Sequence, residues 1–241
     1  MKENLARYLK TLFRNTPFHP QWLIYRDNYK SIRKLGKHIS GNVVDIGCGH
    51  CEIKKYLSSD VSYTGIDYYY TSVNWYGSSP DIYADAQKLP LKSGAVKTVF
   101  LFDVLEHLPE PELCLKEISR ILVKGGKLII QVPFVYPVHD APLDFRRWTS
   151  YGLERILLAE EMEKIEVGYC GEAIETSLLM LNMALAKTLL NSLYKKNPLI
   201  LLLPLFPIII FCLNIFAIIF KSITPKDNFM PFAYRMIAEK K

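Results

Sequence analysis

The sequence predicts an α/β fold, a mostly parallel sheet covered by helices on both faces. Three observations carry this reading. Short apolar runs of strand length alternate with stretches of helical periodicity along residues 42–169. Three successive runs end at an aspartate, namely Asp45, Asp67 and Asp85. A glycine loop, Gly47-Cys48-Gly49, follows the first run directly. Strands joined through helices pair in parallel, and the crossover helices bury both sheet faces.

The elements follow in order. Leu5, Leu9, Leu12 and Phe13 recur at helical spacing, with Tyr8 beside them and basic groups between, so residues 5–13 read as a short amphipathic helix. Residues 22–38 read as a second helix. Val43-Val44-Asp45-Ile46 is the first strand, and Glu52–Leu57 is a helix. Val61–Ile66 is a strand ending at Asp67, Ile82–Ala84 a third ending at Asp85, and Val96–Phe102 a fourth. A helix runs from Pro111 to Leu122, is stopped by Gly125-Gly126, and gives way to a fifth strand, Lys127–Val132. Thr149 or Ser150 caps a helix reaching Glu160, and Lys164–Tyr169 is a sixth strand.

Composition bounds the class. Half of the 241 residues are hydrophobic and the mean hydropathy is slightly positive, which excludes disorder as the dominant state. The net charge of +6 is uneven: residues 1–40 hold nine basic groups against Glu3 and Asp27, leaving the remainder near neutral. Such an arm suits anionic lipid or nucleic acid, and equally a solvated helix face. Five cysteines form an odd set, and Met1–Arg14 lacks the apolar core of a secretory signal, so reduced thiols and a cytoplasmic location are expected. Cys48-x-x-Cys51 has the spacing of a redox or metal pair but stands alone inside a glycine loop, and no metal is expected.

Open parallel sheets bind ligands at the carboxyl ends of their strands, near the point where strand order reverses. The acids at three strand ends, with a glycine loop after the first, line one edge of that crevice. Gly47 and Gly49 let the backbone pass close to a ligand. The nearest rival pattern is the dinucleotide fingerprint Gly-x-Gly-x-x-Gly, but its last position here is Glu52. A carboxylate there would face a pyrophosphate, so the loop suits a ligand without phosphate.

From Val43 to Val132 the chain resembles the class I S-adenosylmethionine-dependent methyltransferases of the broad type 11 group. The segments that carry the likeness are Val44-Asp45-Ile46-Gly47-Cys48-Gly49, Thr64-Gly65-Ile66-Asp67, Asp85-Ala86-Gln87-Lys88-Leu89-Pro90, Phe102-Asp103-Val104-Leu105-Glu106-His107-Leu108 and Leu122-Val123-Lys124-Gly125-Gly126-Lys127-Leu128. They occur in the family's order and spacing. Cys51 departs from the pattern, standing where many members have a third glycine. Phe232–Lys240 resembles the family's last strand, which inserts antiparallel between the fifth and sixth. The resemblance therefore implies a Rossmann-like, seven-stranded, mostly parallel sheet.

It also implies roles. Asp67 is expected to bind both ribose hydroxyls and Asp85 the adenine amine, with Ala86 offering a backbone amide to the ring. Gly47, Cys48 and Gly49 are expected beside the methionine portion, and Asp45 to orient the loop. Tyr68 packs on adenine, and Phe102 completes the cofactor set. Methyl transfer needs a nucleophile held in line, roughly 3 Å from the methyl group. The polar and aromatic segment Pro133–Thr149 leaves the fifth strand at the same crevice. It resembles a segment of bacterial members associated with cell-surface glycan or lipid modification. His139 is the candidate general base, with Asp140 or Asp144 to orient it. Arg146 or Arg147 could hold an anionic acceptor, with Tyr136 beside them. Glu106-His107 is a second candidate pair, and the competing reading of it is the start of the next helix.

Pro198–Phe220 contains no charged residue, and Asn214 is its one polar side chain. Its length reaches across a bilayer core, but Pro204 and Pro207 interrupt it. Because Phe232–Lys240 must return to the sheet, both ends of the insertion belong on one side of a membrane. Either Ala173–Leu193 also crosses, making a hairpin, or the apolar run dips in and returns. Asn182, Lys187 and Asn191 make the first segment a poor span and favour shallow insertion.

The domain expectation is a basic helical cap at 1–40, a methyltransferase domain at 41–171 and 230–241, and an apolar helical insertion at 172–229 before the last strand. The leading function is methyl transfer from S-adenosylmethionine to a small or amphipathic acceptor, such as a lipid-linked glycan or quinone, at the cytoplasmic face of the membrane. Expected partners are that acceptor and membrane lipid, without nucleic acid. The competing functions are a non-catalytic binding module of the same fold and a nucleotide-binding oxidoreductase, which Glu52 disfavours.

Overall fold

A computed structural model describes residues 13–241, with backbone alone at residues 27–31 and 33. The predicted helix over residues 5–13 lies outside the described residues apart from Phe13. The described residues divide into two compact units. One is Ile32–Tyr169 with Ala233–Lys241; the other joins the described part of Met1–Ser31 to Cys170–Phe232.

In chain order the elements are α1 (Trp22–Lys34), β1 (Asn42–Ile46), β2 (Ser62–Asp67), β3 (Ile82–Tyr83), β4 (Val96–Phe102), α2 (Pro111–Ile121), β5 (Leu122–Pro133), α3 (Ser150–Ala159), β6 (Met162–Cys170), α4 (Ala173–Tyr194), α5 (Phe206–Ile223) and β7 (Ala233–Lys240). The seven strands form one sheet in the order β3-β2-β1-β4-β5-β7-β6. Neighbours from β3 to β5 pair in parallel, and β7 pairs antiparallel with β5 from Lys127↔Glu239 to Pro133↔Ala233. The strand implied by the resemblance at Phe232–Lys240 is thus β7, in the slot between β5 and β6.

Alternation of side chains across each strand builds two cores. Val44, Ile46, Val99, Leu101, Leu128 and Ile130 face α2 and α3 through Leu115, Ile118, Leu153 and Leu157, all buried. Val43, Phe100, Ile129 and Ile237 face the other way, onto Ile32, Leu35 and Ile53. Burial on both faces explains why these strands read as continuous apolar runs.

One boundary differs from the sequence reading. Gly125-Gly126 do not stop the helix. Helix α2 ends where Leu122 turns extended, at φ −67° and ψ 139°, and β5 begins there. The glycines lie in an irregular stretch of β5, where the register jumps from Val96↔Leu122 to Thr98↔Lys127, and Gly125 takes φ +75°.

In the other unit, Pro198–Leu205 forms a 3-10 stretch containing Pro204, and α5 follows with Pro207 in its first turn. Proline lacks the amide that an α-helix needs, so the apolar run is broken where it was expected to be. Asn182 of α4 donates a 2.9 Å hydrogen bond to Asn214 of α5. Near the start of α4, Glu175 pairs at 2.6 Å with Lys221 near the end of α5. These contacts make α4 and α5 an antiparallel hairpin. Asn214 also donates to the carbonyls of Pro17 and His19 at 2.7 and 3.1 Å.

Candidate active site

The carboxyl ends of β1 to β4 open onto a cavity of about 420 Å³. It sits where strand order turns from β1 to β4, the reversal point of the sheet. The glycine loop forms one wall. Gly47 and Cys48 donate from their backbone amides to Ile66 O at 2.8 and 3.2 Å, folding the loop over the end of β2. Gly47 takes φ +72°, and a Cβ there would lie 2.1 Å from Val104, so only glycine fits. Gly49 N donates to Asp67 Oδ2 at 2.8 Å, and Tyr68 N donates to Asp67 Oδ1 at 2.7 Å. The Asp67 carboxylate is thereby fixed at the cavity edge with accepting capacity to spare.

Six expected cofactor residues line the cavity: Gly47, Gly49, Asp67, Tyr68, Asp85 and Ala86. Three do not. Asp45 is 2% exposed and accepts a 2.7 Å hydrogen bond from Tyr63. It shares the Val43 face of β1, opposite to Ile46, and so cannot orient the loop from within the cavity. Burial pushes its carboxyl up to about 7, against the opposing hydrogen bond from Tyr63. Cys48 is buried, with Sγ 3.6 Å from Cys51 Sγ and both thiols free. A Cβ at Gly65 would lie 2.9 and 3.0 Å from those sulfurs, so the pair fills space over a glycine. Phe102 packs edge-on against Phe100 with the Arg235 guanidinium over its ring.

The acid that lines the cavity between β1 and β4 is Asp103, which the sequence reading did not single out. It takes φ +55° and accepts from Gln131 Nε2 at 3.2 and 2.9 Å. Gln131 in turn accepts from the buried Arg235 of β7. Packing around the Asp103 carboxyl raises its pKa despite the Gln131 amide. Tyr76, in a helical turn after β2, lines the cavity and donates a 2.6 Å hydrogen bond to Asp140, whose loop follows β5. Burial raises the Tyr76 phenol above its ordinary value, with the Asp140 bond adding to it, so it stays a donor.

The expected catalytic and acceptor set is rearranged. Asp140 binds Tyr76 rather than His139. Asp144 is the partner of His139, accepting its backbone amide at 2.9 Å with Nδ1 at 3.2 Å. Arg147 holds Asp144 through two contacts and also donates to the carbonyls of Tyr136, Pro137 and Arg146. Those bonds hold the Asp144 carboxyl far below the usual range. Arg146 donates to Leu108 O and Pro109 O. Neither arginine lines the cavity, so the expectation that one grips an acceptor is replaced by a structural role: both brace the loop. The Tyr136 ring meets His139 edge-on at 5.1 Å and also lies off the cavity wall.

Glu106-His107 does not start a helix. It closes a 3-10 turn, Leu105–His107, that aims Glu106 inward. Glu106 is fully buried, and neither carboxylate oxygen has a hydrogen-bond partner among the described residues. Burial raises its pKa well above the ordinary value. His107 lines the cavity, and its ring meets that of His139 at 4.8 Å.

The cavity is lined by four aspartates, Asp67, Asp85, Asp103 and Asp140, and by no lysine or arginine among the described residues. That donor set fits a ligand with a cationic centre and hydroxyl or amino donors, and opposes a phosphate.

A family model described as a methyltransferase domain matches residues 44–130. The 27-O-demethylrifamycin SV methyltransferase of Amycolatopsis mediterranei (strain S699) is 30% identical over 100 residues, which cover 36% of this chain and 37% of that protein. The match thus spans little more than a third of that relative's length. Among solved structures, a SAM-dependent methyltransferase from Archaeoglobus fulgidus aligns with a TM-score of 0.57 at 14% identity, covering 96% of this chain and 99% of that one. The Haemonchus contortus phosphoethanolamine N-methyltransferase 2, in complex with phosphomonomethylethanolamine and S-adenosylhomocysteine, aligns with a TM-score of 0.54 at 14% identity, covering 95% and 59%. At these identities the structural likeness is one of fold.

Proposed function

We propose that this chain, whose residues 44–130 are a class I S-adenosylmethionine-dependent methyltransferase core of the type 11 group, methylates an amphipathic acceptor at the cytoplasmic face of a membrane. One observation carries the reading: the carboxylate-lined cavity at the reversal point of the sheet, with no lysine or arginine among the described residues that line it. S-adenosylmethionine supplies an electrophilic methyl group on a sulfonium that leaves as a neutral thioether. Its positive charge suits four surrounding aspartates.

The residues divide the work. Asp67, already fixed by two backbone amides, keeps lone pairs for both ribose hydroxyls. Asp85 and Ala86, at the end of β3, take the adenine edge, and Tyr68 its face. The glycine loop gives the methionine portion a close backbone wall. The acceptor enters from the side of Asp140 and His107. Methyl transfer is largely a matter of positioning. For a hydroxyl acceptor, the imidazole of His107 or His139 receives the proton as the acceptor oxygen forms its bond to the methyl carbon.

The membrane part rests on the exposed apolar surface of the hairpin unit. Leu201 is 84% exposed, Ile223 70% and Ile208 57%, and the 3-10 stretch and α5 offer little polar surface beside them. Contiguous exposed apolar surface of this kind marks an interaction site, and a lipid acceptor gives it a purpose. Both α4 and the Pro198–Ile223 run are long and apolar enough to cross a bilayer. The two lysines between them, Lys195 and Lys196, favour a hairpin that lies in the interface.

Titration calorimetry with S-adenosylhomocysteine and with NAD tests the core of the reading. Saturable binding of the first without the second is expected, and the reverse would replace the methyltransferase reading with an oxidoreductase. Incubating the protein with membrane extracts and methyl-labelled cofactor then reads the acceptor. Label confined to water-soluble products would remove the membrane acceptor.

A further inference from the structure

Glu106, His107 and His139 place one carboxylate oxygen and two imidazole nitrogens within 4.8 Å of one another. The ring hydrogen bonds fix what each nitrogen offers. His107 Nδ1 lies 2.7 Å from Leu143 O, and a carbonyl only accepts, so Nδ1 carries a proton and the neutral ring offers the Nε2 lone pair. His139 Nδ1 lies 3.2 Å from Asp144 Oδ2 and 3.3 Å from Pro137 O, again acceptors, so its neutral ring likewise offers Nε2. Both Nε2 atoms point at Glu106 Oε1, at 3.7 and 3.9 Å. Glu106 is fully buried, and its two oxygens have no hydrogen-bond partner among the described residues. Three candidate ligand atoms therefore converge with no hydrogen bond formed among them. Unpaired polar groups buried in this way are costly unless something cationic joins them.

We infer that Glu106, His107 and His139 form a site for a divalent transition-metal ion of the zinc class, set in the wall of the cavity. Two imidazoles and one carboxylate suit such an ion, and three protein ligands leave a position open. Bond lengths of about 2.0–2.2 Å are reached from the present separations by side-chain shifts of roughly half an ångström or more at each ligand. The surroundings match what ligating histidines need. Each donates its other ring nitrogen to a backbone carbonyl or carboxylate, and Asp144 is itself clamped by Arg147. This also accounts for the arginine, which anchors the carboxylate that orients His139. The open position lies on the cavity side, because His107 lines the cavity whereas Glu106 is enclosed. On the methyltransferase reading of that cavity, the ion would take the place of an imidazole base, because a ligating His107 or His139 has no lone pair left for a proton; its open position would hold the acceptor oxygen and, for a hydroxyl, lower its pKa so that the proton passes to solvent.

The test uses the full chain and Co²⁺ as an optical probe, with Zn²⁺ for thermal shifts. One equivalent of Co²⁺ is expected to give visible d–d bands of a low-coordinate nitrogen and oxygen site, displaced by Zn²⁺, and Zn²⁺ is expected to raise Tm. Glu106→Gln should weaken binding at least 10–100-fold and abolish the Zn²⁺ shift. Because its amide can donate to the imidazole lone pairs, the metal-free variant should melt at or above wild type, which separates ligand loss from misfolding. His139→Gln should weaken binding similarly. Absence of saturable Co²⁺ binding in wild type, or binding equally tight in Glu106→Gln, would overturn the site. A sulfur-to-cobalt charge-transfer band would move it to the Cys48–Cys51 thiols, and so overturn it too. S-adenosylhomocysteine titration runs in parallel. Cobalt binding without cofactor binding would sink the methyltransferase reading and leave the metal site standing, and the reverse outcome would do the opposite.

Discussion

The phenol of Tyr76 donates a 2.6 Å hydrogen bond to Asp140, tying the turn after β2 to the loop after β5 across one cavity. The two residues are 64 positions apart, and both line the cavity proposed for the cofactor. The bond therefore couples the cofactor wall to the acceptor wall. Tyr76→Phe should weaken S-adenosylhomocysteine binding by up to about 1.5–3 kcal/mol, the range for one hydrogen bond to a charged group. Asp140→Asn should do the same, and the double variant should cost no more than either alone. A calorimetric double-mutant cycle measures this, and additive losses would mean that the two residues act separately.

Asp67 is held by two amides before any ligand arrives, so its geometry costs nothing to organise on binding. Asp67→Ala removes a charged acceptor from the ribose position and should weaken S-adenosylhomocysteine binding by about 1.5–3 kcal/mol. Titration calorimetry reads it directly, with thermal melting as a check that the Gly49 turn survives. Unchanged affinity would place the ribose elsewhere.

The sheet and much of the cavity wall were legible because they depend on local signals: strand-length apolar runs, acids at strand ends and glycines after β1. What could not be read is where side chains point when distant segments meet. Asp45 lies one residue from Ile46 and so faces the opposite side of β1, a consequence of strand alternation that outweighs its place in the motif. Arg146 and Arg147 could be read either as acceptor contacts or as part of a loop held by its own salt bridges, and only the fold shows nearby backbone carbonyls and Asp144 taking them up. Gly125-Gly126 looked like a helix stop because the register shift that needs them involves β4. Glu106-His107 was legible as a candidate pair, but its meeting with His139 depends on the loop after β5 folding back onto it. The break in the apolar run was readable because proline acts locally.

Asp45 predicts a pH dependence of stability. Its folded pKa of about 7 lies above the unfolded value near 4, because burial favours the neutral form. Between those values the folded state binds more protons than the unfolded one. Stability should therefore fall as pH rises from about 4 to about 7 and level off above that. Asp45→Asn keeps a partner for Tyr63 and cannot ionise, so it should flatten this slope and be more stable than wild type above pH 7, by an amount of order 1–4 kcal/mol. Urea unfolding at several pH values checks it. A variant less stable than wild type at pH 8 would mean that the buried carboxylate is stabilised as an ion.

The hairpin gives the membrane question a sharp form. Glu175 near the start of α4 meets Lys221 near the end of α5, and Asn182 meets Asn214 between them, so the chain leaves and returns at one end. Asn197 sits at the other end, between α4 and the 3-10 stretch, beside Lys195 and Lys196. A single cysteine at Asp227, near the returning end, should stay unlabelled by an impermeant thiol reagent in intact cells whether the hairpin crosses or lies flat. A single cysteine at Asn197 separates the two cases. Translocating two lysines is costly, and basic groups favour the cytoplasmic side, so Asn197 is also expected to stay unlabelled. Both sites should label once the cells are permeabilised. In vesicle flotation the purified protein should rise with anionic lipid, and Leu201→Glu with Ile208→Glu should sink it by charging the exposed apolar surface. Labelling at Asn197 alone would convert the interfacial hairpin into a spanning one, while labelling at Asp227 would break the rule that the chain must return to the sheet.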